Sequence, residues 1–505
     1  MSVIRQNIIA NFAGNTWQAL MGLAFIPLYI KFMGVESYGL IGIFATLQAM
    51  FVILDMGITA TLSREMARLS VLPGREQEMR NLVRSLEIIY WCVAIFIGMA
   101  VMAISPFIAH NWVKASQLSP QTIEQAFLIM GFAVALQWPA SFYSGGLIGL
   151  QRQVLLNLIN IGVSTMRGVG AVLILWLIYP TIQAFFSWQI IISIINTCLL
   201  AFFFWHRLPR TEKRASFQKQ LLAGVWRFAV GISGITFLSV ILMQMDKIIL
   251  SKMLSLEMFG YYTLASTVAI SLYRLINPVN AAIFPRITQF VSLVDQDGLK
   301  QLYHKSCQFM SVLILPVTVV VAMFSYEILL IWTQNPVTAE KSHLLVSILI
   351  CGTALNGLMN IPYGLQLAHG WTRLTLYVNL ISVILLMPLI IFMTNHYGAI
   401  GAASVWVILN VGYVLIAIHF IHRRLLPSEK WRWYWQDVSL PLVAAFLTAG
   451  AGRILFCYVP FTQPMMLLSI FIVSCFTLAI TALAAPLMRS WVFAQLIRLK
   501  ISYGN

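Results

Sequence analysis

Five charged side chains interrupt or flank long apolar runs: Arg167, Arg227, Arg274, Asp55 and Asp246. A charge in hydrocarbon is expensive, so such groups usually face a wet cavity or a partner. Arginine there suits one chemistry well, because its planar fork grips two phosphate or carboxylate oxygens at once. Spacing strengthens the case for two of them. Asn157, Asn160 and Ser164 lead to Arg167 at steps of 3, 4 and 3, which places all four on one helical face. Thr263, Thr267 and Ser271 lead to Arg274 at steps of 4, 4 and 3. Asn11, Asn15 and Gln18 form a third stripe, with Gly22 four residues further on. Each stripe reads either as a cavity wall or as helix packing through amides, hydroxyls and small residues. For Arg227, snorkelling to the membrane surface competes with a cavity role. Asp55 can cap a helix or pair with Arg64. Asp246, beside Lys247, reads as structural, with ion coupling as its other use.

These residues must be positioned by membrane helices. The 505-residue chain is 60% hydrophobic and 10% charged, against about 25% charged in soluble domains. About fourteen runs are long enough to cross hydrocarbon: 8–32, 38–57, 85–109, 123–148, 154–179, 183–205, 222–250, 259–283, 306–333, 343–368, 373–395, 399–421, 438–458 and 464–486. The runs lack the two-residue alternation of barrel strands, so an all-α polytopic membrane protein is expected. The net charge of +16 reads as membrane orientation rather than nucleic-acid binding. With a cytoplasmic N-terminus, 23 of the 32 Lys and Arg fall in cytoplasmic segments, so both termini are expected on that side. Met1–Asn7 leads straight into the first run, with no cleavable signal expected. Thr59–Val83 and Ile287–Leu302 are amphipathic and are expected as short interfacial helices.

The six cysteines (Cys92, Cys198, Cys307, Cys351, Cys457 and Cys475) have no metal-ligand spacing and read as small packing residues. No phosphate-binding GxxxxGK[ST] loop, HExxH or GxSxG motif is present, and non-cytoplasmic loops are short. An enzyme, an ATP-driven pump and a resident cofactor are therefore not expected. A coupling ion, H+ or Na+, is left open.

The chain also repeats itself. Lys31, Glu36, Tyr38 and Gly39 align with Lys252, Glu257, Phe259 and Gly260 at an offset of 221 residues. Asp55 and Arg64 align with Asn277 and Arg286 after a one-residue slip. Trp205–Pro209 with Glu212-Lys213 matches His422–Pro427 with Glu429-Lys430. The expected division is a six-span lobe at 1–210, its six-span copy at 211–430, and two further spans with a tail at 431–505. An even number of spans inserts both copies the same way up, as parallel lobes.

Several motifs in order carry a family likeness: the Asn7–Pro27 span, Gly34-Val35-Glu36-Ser37-Tyr38-Gly39, Leu54-Asp55-Met56-Gly57 with Ser63-Arg64-Glu65 and Ala67-Arg68, then Asp246–Leu250, Gly260-Tyr261-Tyr262 and Phe284–Ile287. The chain resembles the multidrug/oligosaccharidyl-lipid/polysaccharide exporter superfamily, and within it the Wzx-type oligosaccharide flippases. Many of these have twelve spans. The extra pair is similar to that of the lipid II flippases. The resemblance implies transfer of undecaprenyl-diphosphate-linked oligosaccharide between leaflets of a bacterial inner membrane, by rocking of two lobes around a midplane site. It would feed O-antigen, capsule or exopolysaccharide assembly. Arg274, Arg167 and Arg227 would then meet the diphosphate or anionic sugars. Asn11, Asn15, Asn157, Asn160 and Ser271 would line the cavity. The lipid-linked substrate and membrane lipids are the implied partners, with a polysaccharide polymerase or chain-length machinery beside them. The rival reading is a cation-coupled multidrug exporter of the same superfamily.

Overall fold

The computed structural model describes residues 3–55, 57–457 and 462–490; within these stretches, side chains 3–5, 8, 222–236 and 457 are not described. The described residues are helical almost throughout, as apolar runs in hydrocarbon require: a helix satisfies every backbone group within its own segment. Two compact units divide the fold, Met1–Gly260 and Tyr261–Asn505.

The first unit holds α1 (Val3–Ala24), α2 (Ile26–Phe51), α3 (Ile58–Leu69), α4 (Glu76–Phe107), α5 (Pro120–Gln137), α6 (Pro139–Gly149), α7 (Gln153–Leu177), α8 (Ile182–Arg207) and α9 (Lys219–Met253), and α10 (Leu256–Ser271) begins in it. α1 kinks at Phe25, where Pro27 follows at the second position of α2. Within α2 the chain breaks again at Gly34, whose φ of 82° favours a residue without Cβ. That break separates the expected first and second spans. Thr59–Val83 was expected to hold a short interfacial helix, and a short helix, α3, does cover most of its first half.

Two reciprocal close approaches pin α2 to the end of α9 and the start of α10. A Cβ on Gly39 would lie 2.5 Å from the Leu256 carbonyl oxygen, and one on Gly260 would lie 2.4 Å from that of Val35. The offset of 221 residues maps one contact onto the other, Gly39 onto Gly260 and Val35 onto Leu256. Around them the Leu256 amide donates to the Lys114 carbonyl (2.8 Å) and the Trp112 indole to Ser251 (2.9 Å). Buried Glu36 accepts from the backbone amides of Ser116 (2.6 Å) and Gln117 (2.8 Å), fixing the loop before α5.

At the other end of this unit sits a buried polar knot on α4. Glu87, 6% exposed, accepts from Tyr143 of α6 (2.7 Å) and the Trp205 indole of α8 (2.9 Å) on one oxygen, and from Arg84 (2.7 Å) on the other. Arg84 also stacks on Trp205, 4.9 Å from the ring centre. The linker after α8 is strapped beside it: Ser216 and Gln218 donate backbone N–H groups to Asn81 (2.9 Å) and Ser85 (2.8 Å).

The second unit holds the rest of α10, α11 (Tyr273–Ser292), α12 (Gln296–Met323), α13 (Ser325–Thr333), α14 (Pro336–Ala368), α15 (Arg373–Gly412), α16 (Ile418–Leu425), α17 (Lys430–Arg432), a π-helical stretch Trp433–Ser439, α18 (Leu440–Cys457) and α19 (Gln463–Ala484). α15 breaks at Gly398 (φ 59°, ψ −142°) into two passes. Eleven segments among the described residues are long and apolar enough to span a membrane. Adding α1 and α9, and splitting Arg373–Leu425 at Gly398, gives the expected fourteen. One expectation is corrected. Ile287–Leu302 forms no separate interfacial helix, because α11 runs on to Ser292. The turn falls later, at Val294 (φ 57°), where Asp295 caps α12 by accepting from the Gly298 amide at 2.9 Å.

The terminal helix pair is fastened to this unit near both ends of α18. Arg453 of α18 pairs with Glu327 of α13 at 2.6 Å and lies over the Phe324 ring. Ahead of α18, Asp437 in the π-helical stretch reaches His304 of α12 at 2.5 Å.

Candidate functional site

In the first unit, α1 and α7 pack along their polar stripes. Asn157 is buried, and its amide donates to Asn11 (2.6 Å) and to the Gln153 carbonyl (2.8 Å), while Asn11 donates to the Gln153 side chain (2.6 Å). Gly14 makes room, since a Cβ there would lie 2.1 Å from the Asn157 amide oxygen. Higher up, the Trp17 indole donates to Thr165 (2.8 Å). Asn11 and Asn157 thus spend their donors on each other and on Gln153, the arrangement expected of helix packing in a bilayer. Asn15 is exposed and Asn160 half-buried, and neither has a hydrogen-bond partner among the described residues.

Arg167 lies on α7 beyond this seam, beside Tyr29 of α2. Its Nε is buried with no hydrogen-bond partner, and no acidic side chain among the described residues pairs with it. Such an orphan donor costs about 1–3 kcal/mol, more when the group is charged. Ser164, on the same face, turns back to the Ile161 carbonyl (3.0 Å).

In the second unit, Arg274 is exposed and pairs with no acidic group among the described residues. Its stripe is not one continuous helix face. α10 ends at Ser271 and α11 starts at Tyr273, with a tight turn at Leu272 whose amide bonds Ala269 (3.2 Å). Pro278, four residues after Arg274, removes the donor that would have met the Arg274 carbonyl. Ser271 and Thr267 bond their own helix backbone, at Val268 (2.6 Å) and Thr263 (2.8 Å). The neighbouring Tyr273 opens a relay the stripes did not reveal: it donates to Asn356 (2.9 Å), which donates to buried Asn410 (2.8 Å). The available signal was Asn356 and Asn410 within the apolar stretches of α14 and α15, two of several amides on those helices.

Asp55 is engaged structurally. It accepts from the Thr59 amide (3.2 Å), the Thr59 hydroxyl (2.5 Å) and Tyr90 (2.7 Å), capping α3, while Arg64 pairs with Glu65 (2.7 Å). Asp246 sits 3.6 Å from Lys247. Arg227 belongs to α9, but its side chain lies outside the described residues.

A family profile described as "Polysaccharide biosynthesis protein" matches residues 4–291, more than half of the chain. The chain belongs to that family. A second profile, MatE, matches residues 232–392. A Shigella flexneri member of the curated proteins, named "Putative O-antigen transporter", is 22% identical over 410 residues, covering 80% of this chain and 94% of its own. Among solved structures, the lipid II flippase MurJ in an inward closed conformation has a TM-score of 0.69 at 13% identity, over 97% of this chain and 99% of its own. An inward-facing multidrug-resistance transporter of the MATE family has a TM-score of 0.66 at 13% identity, over 88% and 96%. At such identities the structural likenesses speak for the fold. As a polysaccharide biosynthesis protein of this family, the chain is a multi-pass α-helical membrane protein. The relatives' names are those of transporters and flippases, not of catalysts.

Proposed function

We propose that this protein moves a polyprenyl-diphosphate-linked oligosaccharide across a bacterial inner membrane by alternating access, from the cytoplasmic to the periplasmic leaflet. Family membership and the O-antigen transporter relative support the glycan, and the MurJ-like fold accommodates a lipid-linked substrate. One observation carries the substrate chemistry: Arg167 holds a buried guanidinium nitrogen with no partner and no neutralising carboxylate among the described residues. A diphosphate supplies both the missing acceptor and the missing charge. Arg274, also without an acidic partner, is the second phosphate contact, and Arg227 a third. Asn15, Asn160 and Ser271 offer polar groups to sugar hydroxyls, with Asn11 and Asn157 holding the seam beside them. Asp55 and Asp246 serve structure in this reading.

Both termini face the cytoplasm, as the distribution of Lys and Arg favours. The repeat division at 1–210, 211–430 and 431–505 gives two homologous halves and an added pair, and the reciprocal Gly39 and Gly260 contacts support it. The polysaccharide polymerase and chain-length machinery are the partners that would receive the product.

Reconstitution into proteoliposomes with a fluorescent lipid-diphosphate oligosaccharide tests the assignment. Arg167→Ala and Arg274→Ala are expected to lower flipping at least tenfold at unchanged protein level, and Lys at either position to restore part of it. Full activity in both Ala variants removes these residues from substrate binding. The MatE profile favours a second reading, a cation-coupled multidrug exporter of the same superfamily. Drug sensitivity of a deletion strain with normal surface glycan would establish it instead.

A further inference from the structure

His304 of α12 is wholly buried and stands between two carboxylates. Its Nδ1 lies 2.5 Å from Asp437 Oδ2, and its Nε2 lies 3.0 Å from Glu429 Oε2. Asp437 is itself wholly buried, whereas the Glu429 side chain is 12% exposed. The remaining hydrogen bonds fix the roles. Gln308 accepts the Leu487 amide on its oxygen (2.8 Å), so its nitrogen must face Asp437 Oδ1 (2.9 Å), and that oxygen is an acceptor. Glu429 Oε1 accepts from Ser428 at 2.9 Å.

Counting protons then leaves one choice. A neutral imidazole carries a single N–H, and an ionised carboxylate carries none. Two nitrogen–carboxylate contacts need two protons. The trio therefore holds one proton more than neutral histidine with two ionised acids, whichever of the three atoms carries it. We infer that His304, Asp437 and Glu429 form a proton-binding site, and that the bound proton holds the segment Pro427–Ser439 against α12.

The consequence of release is also set by the geometry. When the proton leaves to water, one nitrogen lone pair faces a carboxylate, a repulsive contact in a dry site. The Asp437 side has no exit, because both groups are buried and Asp437 is held by Gln308 in a widened π-helical turn. Glu429 is the member that yields. It sits on a short turn, Pro427–Glu429, near water, with Lys300 at 3.8 Å and Arg432 at 3.5 Å to receive it. Nδ1–H goes on donating to Asp437, and the Glu429 contact opens.

Other titratable groups face the trio. On α12 they are Lys300, Tyr303 and Cys307. From α16 comes His422, whose Nε2 is 3.1 Å from the Tyr303 hydroxyl while its Nδ1 meets the Ile418 carbonyl (3.0 Å). Lys430, which meets His419 at 2.9 Å, and Arg432 come from α17, and Tyr434 from the π-helical stretch. The charged groups of α11, α14 and α18 (Arg274 and Arg286; Glu340, Lys341 and His343; Arg453) have no hydrogen bond or ion pair with the trio, and α19 carries no charged residue. His422 already has one acceptor and one donor partner and needs no extra proton, so His304 is the group that the donor count singles out.

Hydrogen–deuterium exchange of the full-length protein in lipid nanodiscs, corrected for intrinsic exchange at each pH, tests this without any substrate. Its outcome is therefore separate from that of the transport reading. Backbone exchange over 427–436 should speed at least tenfold as pH is raised, with exchange in α14 unchanged. In Glu429→Gln the amide donates to the neutral ring, so the contact needs no borrowed proton, and the dependence should vanish with the segment protected throughout. In His304→Gln it should vanish too. Should that variant fail to fold, the part-exposed Glu429→Gln still decides. A flat wild-type profile overturns the proposal, as does a Glu429→Gln protein that keeps the wild-type response.

Discussion

Two buried knots invite comparison, Glu87 on α4 and His304 on α12. Glu87 lies in the third expected span of the first copy and His304 just ahead of that of the second, on α12, and each ties its helix to the segment that follows the sixth span or to its last turn. Their hydrogen-bond arithmetic differs. Glu87 meets a guanidinium, a phenol and an indole, three permanent donors on one acceptor group. Its count closes without help. His304 meets two acceptors and closes only with a proton taken from solution. Near the third expected span, the first unit thus carries a fixed fastening and the second a conditional one. The conditional one lies just ahead of α18, where the proposed additional helix pair begins.

Substitutions break the comparison in graded ways. The largest effect is expected for Asp437→Leu, which leaves a buried histidine facing one acid and strands Gln308. A loss of about 3–5 kcal/mol, read as a fall in melting temperature in detergent, is the usual size when one partner of a buried charged pair is removed. Glu87→Leu should cost about 2–3 kcal/mol, less because Arg84 can turn to solvent. The sharper test is that its cost should be the same at every pH between mild acid and mild base, unlike that of Asp437→Leu. Gly39→Ala and Gly260→Ala, which force a methyl onto a carbonyl, should each cost about 1–3 kcal/mol by overpacking. Equal costs in the two are expected, and a large inequality would show that the contact is not reciprocal in energy. Arg453→Ala strips the cation from buried Glu327 at the other end of α18 and should cost about 1–3 kcal/mol, read as a fall in melting temperature in detergent.

The spans were legible because hydrocarbon permits little but helices, and Gly34 and Pro27 mark breaks that sequence alone places within a few residues. Arg167 and Arg274 stood out for the same reason, being charges in apolar runs. The His304 site did not. Its members lie 125 and 133 residues apart, and each sits near a span end, where polar residues ordinarily meet water. Lys430–Gln436 is basic and aromatic, a composition common at a membrane surface, and nothing local shows that the following Asp437 is wholly buried. Glu87 was hidden similarly, three residues after an arginine in a segment scored for its positive charge. Asn11 and Asn157 were legible as a polar seam, but whether a seam faces a sugar or another amide depends on which helix arrives opposite. That is tertiary information.

The paired glycines carry a lesson about inheritance. Because Gly39 rests on Leu256 and Gly260 rests on Val35, each segment of the proposed repeat is the mould for the other here. Neither patch can enlarge without the opposite one retreating. After a duplication, most positions are free to drift apart, but these must drift together or stay as they are. The strongest trace of the ancestral single-copy sequence is therefore expected at this seam, and comparison of related chains should find the two segments alike here long after the rest has diverged.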